Sequence, residues 1–134
     1  MIPHPVPANT KRAVRILIVE DEPIIALGLE DVLTDAGFEI AGVAAKLDKA
    51  LALVESCTCD AAIVDANLAG VSASPVAVWL AAHGLPYIVM SGYSPDQMRG
   101  EYPRAVFIQK PCRAELIIET LNTLLLDREN VAQK

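Results

Sequence analysis

At 134 residues the chain has the length of one domain, and 53% hydrophobic with only 21% charged residues excludes an intrinsically disordered segment. Eleven basic against seventeen acidic residues leave a net charge of −6, which argues against DNA or an anionic membrane as the principal partner, because phosphate binding needs clustered cations. No apolar run reaches the roughly 18 residues of a membrane span, and the start MIPHPVPANTKR lacks the apolar segment of a secretory signal. Cys57, Cys59 and Cys112 are odd in number and have no zinc-site spacing, so they read as reduced thiols of a cytoplasmic chain.

In chain order, residues 1–14 read as a flexible arm, with Pro3, Pro5 and Pro7 blocking regular structure. Arg15–Val19 (RILIV) is a β-branched run of strand length, cut off by Glu20, Asp21 and Glu22. Pro23 suits a first helical turn, and Ile25, Leu29, Val32, Leu33 and Ala36 then recur at helical spacing until Gly37. Phe38–Val43 is the second strand, and Leu47, Ala50, Leu51 and Val54 mark the second helix. Ala61–Val64 is a third strand, closed by Asp65 and followed by the loop ANLAGVSA, whose flexibility follows from its small residues. The third helix is predicted from about Ser74, as N-cap, to His83, with Pro75 in its first turn. Trp79 on that helix reads as core.

Tyr87–Met90 is the fourth strand, and residues 94–103 are poor in helix formers because Pro95, Gly100 and Pro103 interrupt them. Ala105–Gln109 is the fifth strand, about Arg113–Asp127 the last helix, and 128–134 a polar tail. This is an α/β domain of (βα)5 form, spanning about residues 15–127. Strands that are apolar throughout, rather than alternating, belong to a parallel sheet covered on both faces, a doubly wound arrangement.

In such a sheet, ligands bind beyond the carboxyl ends of the strands. Those ends carry Glu20 and Asp21 after strand one, Asp65 after strand three, Ser91 after strand four and Lys110 after strand five. A single acid at such a place is explained by the positive end of a helix. Three together are not. Two charges ~4 Å apart at an effective dielectric of ~20 repel by roughly 4 kcal/mol, so a cation or a proton must relieve the cluster. A hard cation such as Mg2+ suits these oxygen donors and leaves positions for a phosphoryl oxygen. Asp65 is the natural nucleophile, giving an acyl phosphate, while Lys110 and Ser91 would stabilise the phosphoryl oxygens.

The segments ILIVEDE (Ile16–Glu22), DAAIVDANLAG (Asp60–Gly70), VMSGY (Val89–Tyr93) and FIQKP (Phe107–Pro111), in this order and spacing, resemble a response-regulator receiver domain of the CheY-like type. The resemblance covers about residues 14–127. It implies a flavodoxin-like fold with strand order 2-1-3-4-5, and phosphorylation of Asp65 by a sensor histidine kinase or a histidine phosphotransferase. It further implies Mg2+ held by Glu20, Asp21, Asp65 and the backbone carbonyl of Asn67. Ser91 and Lys110 would sense the phosphoryl group, Phe107 would turn inward on activation, and Lys110–Pro111 would be cis. Asn67 and Tyr93 would flank the water that ends the phosphorylated state, and so set its lifetime. The only catalysis implied is the domain's own phosphorylation and dephosphorylation. Three positions depart from the common pattern: Glu20 replaces an aspartate, Ala69 replaces a frequent proline and predicts a more mobile loop, and SGYSPDQMRGEYP lacks a full helix. The last feature resembles a stand-alone subgroup found with HWE-type sensor kinases.

Only DRENVAQK follows the last helix, so no fused output domain is expected, and the signal would pass to a downstream protein target or be relayed onward. The stripe of Leu116, Ile117, Ile118, Leu121, Leu124, Leu125 and Leu126 is wider than one buried face needs and suggests a homodimer or docking face. A degenerate receiver, acting as a scaffold without phosphorylation, is an alternative that only labelling of Asp65 separates. An aspartate-nucleophile phosphatase of the haloacid dehalogenase type would place its nucleophile after strand one as Asp-x-Asp, where this chain has Glu20–Asp21–Glu22. A flavin module would need a Ser/Thr/Gly phosphate loop at the same place, and acids there repel phosphate.

Overall fold

β-Branched and small apolar residues fill the strands because both sheet faces are covered. The computed structural model describes residues 13–92 and 99–132. Most of the expected arm, Tyr93 and residues 94–98 of the helix-poor stretch lie outside the described residues. Five parallel strands form the sheet: β1 (Arg15–Val19), β2 (Glu39–Ala44), β3 (Ala61–Asp65), β6 (Tyr87–Ser91) and β7 (Val106–Gln109). Their order is β2-β1-β3-β6-β7, the expected 2-1-3-4-5 arrangement of a flavodoxin-like fold.

Alternate side chains of each strand supply two separate cores. Leu17, Val19, Ala62, Val64, Tyr87 and Val89 pack with helices α2 (Leu47–Ser56) and α3 (Ser74–Ala82). Ile16, Ile18, Ala61, Ile63, Ile88 and Met90 pack with α1 (Pro23–Asp35) and α4 (Ala114–Ala132). Each fully buried Leu or Ile contributes roughly 1.5–3 kcal/mol of transfer free energy, and Ile16, Leu17 and Ile18 are all 0% exposed. The packing is close enough to restrict side-chain size at β2. A β-carbon on Gly42 would come within 3.0 Å of Leu53 Cδ1, which presses down from α2.

At the amino end of the sheet, Arg15 pins three elements together. Its guanidinium donates to Glu39 at 2.8 Å and to the Thr58 carbonyl at 2.9 Å, and its backbone N–H donates to Asp60 Oδ2 at 2.8 Å. On α3, the Trp79 and His83 rings stack 3.7 Å apart, and His83 Nδ1 lies 2.8 Å from the Trp79 carbonyl. The three cysteines are thiols.

Three local features differ from the expectations. The loop after Asp65 is a hairpin of two short strands, β4 (Asn67–Leu68) and β5 (Val71–Ser72), in place of the mobile loop expected from Ala69. Its turn residues Ala69 and Gly70 have φ of 54° and 91°, the positive pair that a tight I′ turn requires. Asn67 Oδ1 accepts the Gly70 N–H at 2.6 Å and closes the turn. Proline, fixed near −65°, cannot occupy position 69 in this geometry. Ala73, not Ser74, is the N-cap of α3, and Ser72 Oγ accepts the Ser74 N–H at 3.1 Å. Helix α4 runs to Ala132, five residues beyond the predicted Asp127, because Arg and Glu are good helix formers although polar. Between β6 and β7 the described residues contain a single 3₁₀ turn, Arg99–Glu101, and no α-helix.

Candidate functional site

β1 and β3 are sheet neighbours, so the residues that follow Val19 and Val64, 45 positions apart in sequence, emerge side by side. Glu20 N–H donates to the Ala44 carbonyl at 2.9 Å, which carries the backbone one step past the strand and turns the Glu20 side chain inward. Glu20 is 3% exposed and Asp65 is 7% exposed. Asp21 is half-buried beside them, and one carboxylate oxygen from each of the three lies within 4.8 Å of the others. Two backbone groups steady the acids: Glu22 N–H donates to Glu20 Oε2 at 3.1 Å and Asn67 N–H to Asp65 Oδ1 at 3.1 Å.

The fourth corner comes from β6 and β7. Lys110 N–H donates to the Ser91 carbonyl at 2.8 Å, holding the two strand ends together. Lys110 then reaches back over the acids, with Nζ 3.1 Å from Asp65 Oδ2 and 3.4 Å from Glu20 Oε1. The Lys110–Pro111 bond is cis. An open cavity of about 310 Å³ lies above, walled by Asp21, Glu22, Asp65, Asn67, Ser91 and Lys110 among others. Glu20 sits beneath this cavity and touches it only through Lys110 and its fellow acids.

Electrostatics register the crowding. Burial, and then the charge of Asp65, push the Glu20 carboxyl up to about 7, although the Glu22 N–H and Lys110 pull the other way. Burial works against the Lys110 charge, but the attraction of Asp65 and Glu20 outweighs it and the ammonium is held above its usual value. A carboxyl poised near neutrality is one that a proton or a metal ion can occupy in turn. Three hard oxygen donors gathered within 4.8 Å of one another suit a divalent cation such as Mg2+.

The response regulator receiver domain family matches this chain over residues 16–122. The chain belongs to that family. The receiver domain is 38% identical to SdrG of Sphingomonas melonis Fr1, with a TM-score of 0.72 over 84% of this chain and 97% of that one. It superimposes on a response regulator receiver protein from Sinorhizobium medicae WSM419 with a TM-score of 0.79 at 26% identity, covering 87% of this chain and 98% of that one. It is also 29% identical, over 126 residues, to the phyllosphere-induced regulator PhyR of Methylorubrum extorquens. That match takes in 91% of the receiver domain and 47% of PhyR, so the chain spans about half the length of this curated relative.

Of the residues singled out from sequence, Glu20, Asp21, Asp65, Asn67, Ser91 and Lys110 converge at the carboxyl edge of the sheet. Phe107 does not: it lies half-buried on β7, edge-on to Tyr102 with ring centroids 6.3 Å apart. Tyr93 lies outside the described residues. Sequence reasoning missed Glu22 as a wall of the cavity and Tyr102 as a buried neighbour. An isolated aromatic between Gly100 and Pro103 carries no periodicity that would have exposed it. Among the described residues, no helix of the receiver domain is long and apolar enough to cross a membrane.

Proposed function

We propose that this receiver domain accepts a phosphoryl group on Asp65 from the phosphohistidine of a sensor histidine kinase or histidine phosphotransferase, with Mg2+, and signals through altered protein contacts. One observation carries the reading: Asp65 lies at the centre, within reach of two further carboxylates on one side and the Lys110 ammonium 3.1 Å away on the other. In the transfer, an Asp65 carboxylate oxygen forms a bond to phosphorus as the phosphorus–nitrogen bond of the donor breaks. The bonding pair stays on the imidazole nitrogen, and the product is an acyl phosphate. Lys110 offers its positive charge and Ser91 its hydroxyl to the phosphoryl oxygens. Glu20, Asp21, Asp65 and the Asn67 carbonyl would hold Mg2+, which when bound supplies positive charge against those same oxygens.

The product carries roughly −1.5 to −2 charges where Asp65 carried one. Lys110, Ser91 and the loop after Asp65 must readjust to it, and a protein partner reads the result. The exposed Leu116 and Leu126 of α4, at 44% and 58%, offer one face for such a partner or for a second copy of the chain. The likeness to PhyR, a regulator, supports a regulatory output rather than turnover of a metabolite. Loading with beryllofluoride or acetyl phosphate in the presence of Mg2+, followed by 19F NMR or intact mass, tests the proposal. The parent should load to one group per chain and Asp65→Asn should take none. A parent that stays unloaded, or an Asp65→Asn variant that loads equally, overturns it.

A further inference from the structure

Tyr102 follows the 3₁₀ turn in a stretch where Glu101, Pro103 and Arg104 are all exposed, yet it is 2% exposed itself. A buried phenol hydroxyl must find a partner, because leaving it unmade is costly. It donates to the Ala66 carbonyl at 3.0 Å, the peptide group next to Asp65. The same carbonyl accepts the Ala73 N–H at 3.2 Å, which closes the base of the β4–β5 hairpin. Ser72 Oγ stands 3.4 Å from the Tyr102 hydroxyl and donates to Glu101 Oε1 at 3.2 Å. At its other end, the Tyr102 ring meets the Phe107 ring at 87°. Tyr87 donates its hydroxyl to the Pro103 carbonyl and so bolts the chain just beyond Tyr102 to β6.

We propose that Tyr102 is the positioning residue that carries the state of Asp65 to Phe107 and to the surface around residues 99–107. The inference rests on Asp65 being the phosphoacceptor. Ala66 lies between Asp65, whose Oδ1 accepts the Asn67 N–H, and Asn67 itself. The Ala66 carbonyl and the Asn67 N–H belong to one peptide group, so a phosphoryl group on Asp65 that changes what this N–H faces re-aims the carbonyl that Tyr102 holds. Hydrogen bonds weaken steeply as they bend below ~120°, so the tyrosine follows the carbonyl. A close-packed interior passes that movement on instead of absorbing it, and the next ring is Phe107. Burial holds the Tyr102 hydroxyl above its usual pKa, which keeps the proton that makes it a donor.

Beryllofluoride loading of the full chain, with 19F signals for the site and ring-labelled Phe and Tyr for its surroundings, tests this. The parent has two phenylalanines, so Phe38 serves as an internal reference for Phe107, and the third signal that Tyr102→Phe adds is recognised by its absence from the parent spectrum. In the parent, loading should shift the Tyr102 and Phe107 ring signals together and leave Phe38 in place. Tyr102→Phe keeps the ring and removes the hydroxyl: it should load to the same extent and lose most of the Phe107 shift. Ser72→Ala, which leaves the Tyr102–Ala66 bond intact, should retain that shift. A full Phe107 shift in Tyr102→Phe overturns the inference. So does a parent whose Phe107 signal moves while Tyr102 stays still, a result that needs no variant to fold. An unloaded parent overturns the assignment of Asp65, and this inference with it, and shows as an absent bound-fluoride signal.

Discussion

The two ends of the sheet treat charge in opposite ways. At the amino end, the Arg15 guanidinium meets the Glu39 carboxylate at 2.8 Å, and the Asp60 carboxylate accepts the Arg15 backbone N–H at 2.8 Å. At the carboxyl end, Glu20, Asp21 and Asp65 crowd together, and Lys110 pairs with Glu20 and Asp65. The first arrangement sets one guanidinium against one carboxylate, adds a backbone bond to a second, and ties β1, β2 and the approach to β3 together. The second is overdrawn in negative charge, and only an added cation or proton corrects it. Crowded acids held in place by a well-packed sheet are what the proposed function needs at the carboxyl end; the pairing at the amino end joins strands.

The largest expected effect follows from removing the ammonium that pairs with the acids at the overdrawn end. Lys110→Met leaves two buried carboxylates facing each other and should cost about 1–3 kcal/mol near pH 8. The loss should shrink as the pH falls through about 7, where Glu20 takes up a proton. Urea unfolding at pH 8 and pH 5.5 reads the difference, and equal losses at both would mean that the lysine charge does not act on Glu20.

A second experiment sharpens the contrast with a metal. The folded Glu20 titrates at about 7 against an ordinary 4.5, a raised value. Its stabilising contribution is therefore fully present below about 4.5 and lost as pH rises through about 7. On the function proposed above Mg2+ would take the place of that proton, so the rise in melting temperature on adding Mg2+ should grow from pH 6 to pH 8. At 100 times its dissociation constant the ion adds about 2.7 kcal/mol. A gain independent of pH would remove Glu20 from the ion's surroundings. The smallest effect belongs to the amino end. Arg15→Met disrupts a partly exposed pair and should cost about 1 kcal/mol or less, with Mg2+ binding and Asp65 loading unchanged.

Much of this contrast was legible in the sequence. RILIV, AAIVD and YIVMS are apolar on both faces, which is visible without coordinates and dictates a covered parallel sheet. Once the sheet is parallel, the residues that follow its strands must share one edge, so Glu20, Asp21, Asp65, Ser91 and Lys110 were identifiable together. What escaped has physical reasons. Strands of two residues, such as Asn67–Leu68 and Val71–Ser72, are too short to show alternation. The positive φ of Ala69 is imposed by its turn and not preferred by alanine. The extension of α4 to Ala132 rests on propensity where hydropathy is silent. Tyr102 had no periodic companions, and its importance comes wholly from the backbone it reaches.

The stacked pair on α3 has a practical consequence. Trp79 is the only tryptophan, so the intrinsic fluorescence of the chain comes from an indole lying 3.7 Å from the His83 imidazole. The His83 ring is held in that stack by its Nδ1 contact with the Trp79 carbonyl at 2.8 Å, one turn earlier on the same helix. A change in this light therefore reports a change in the packing of α3.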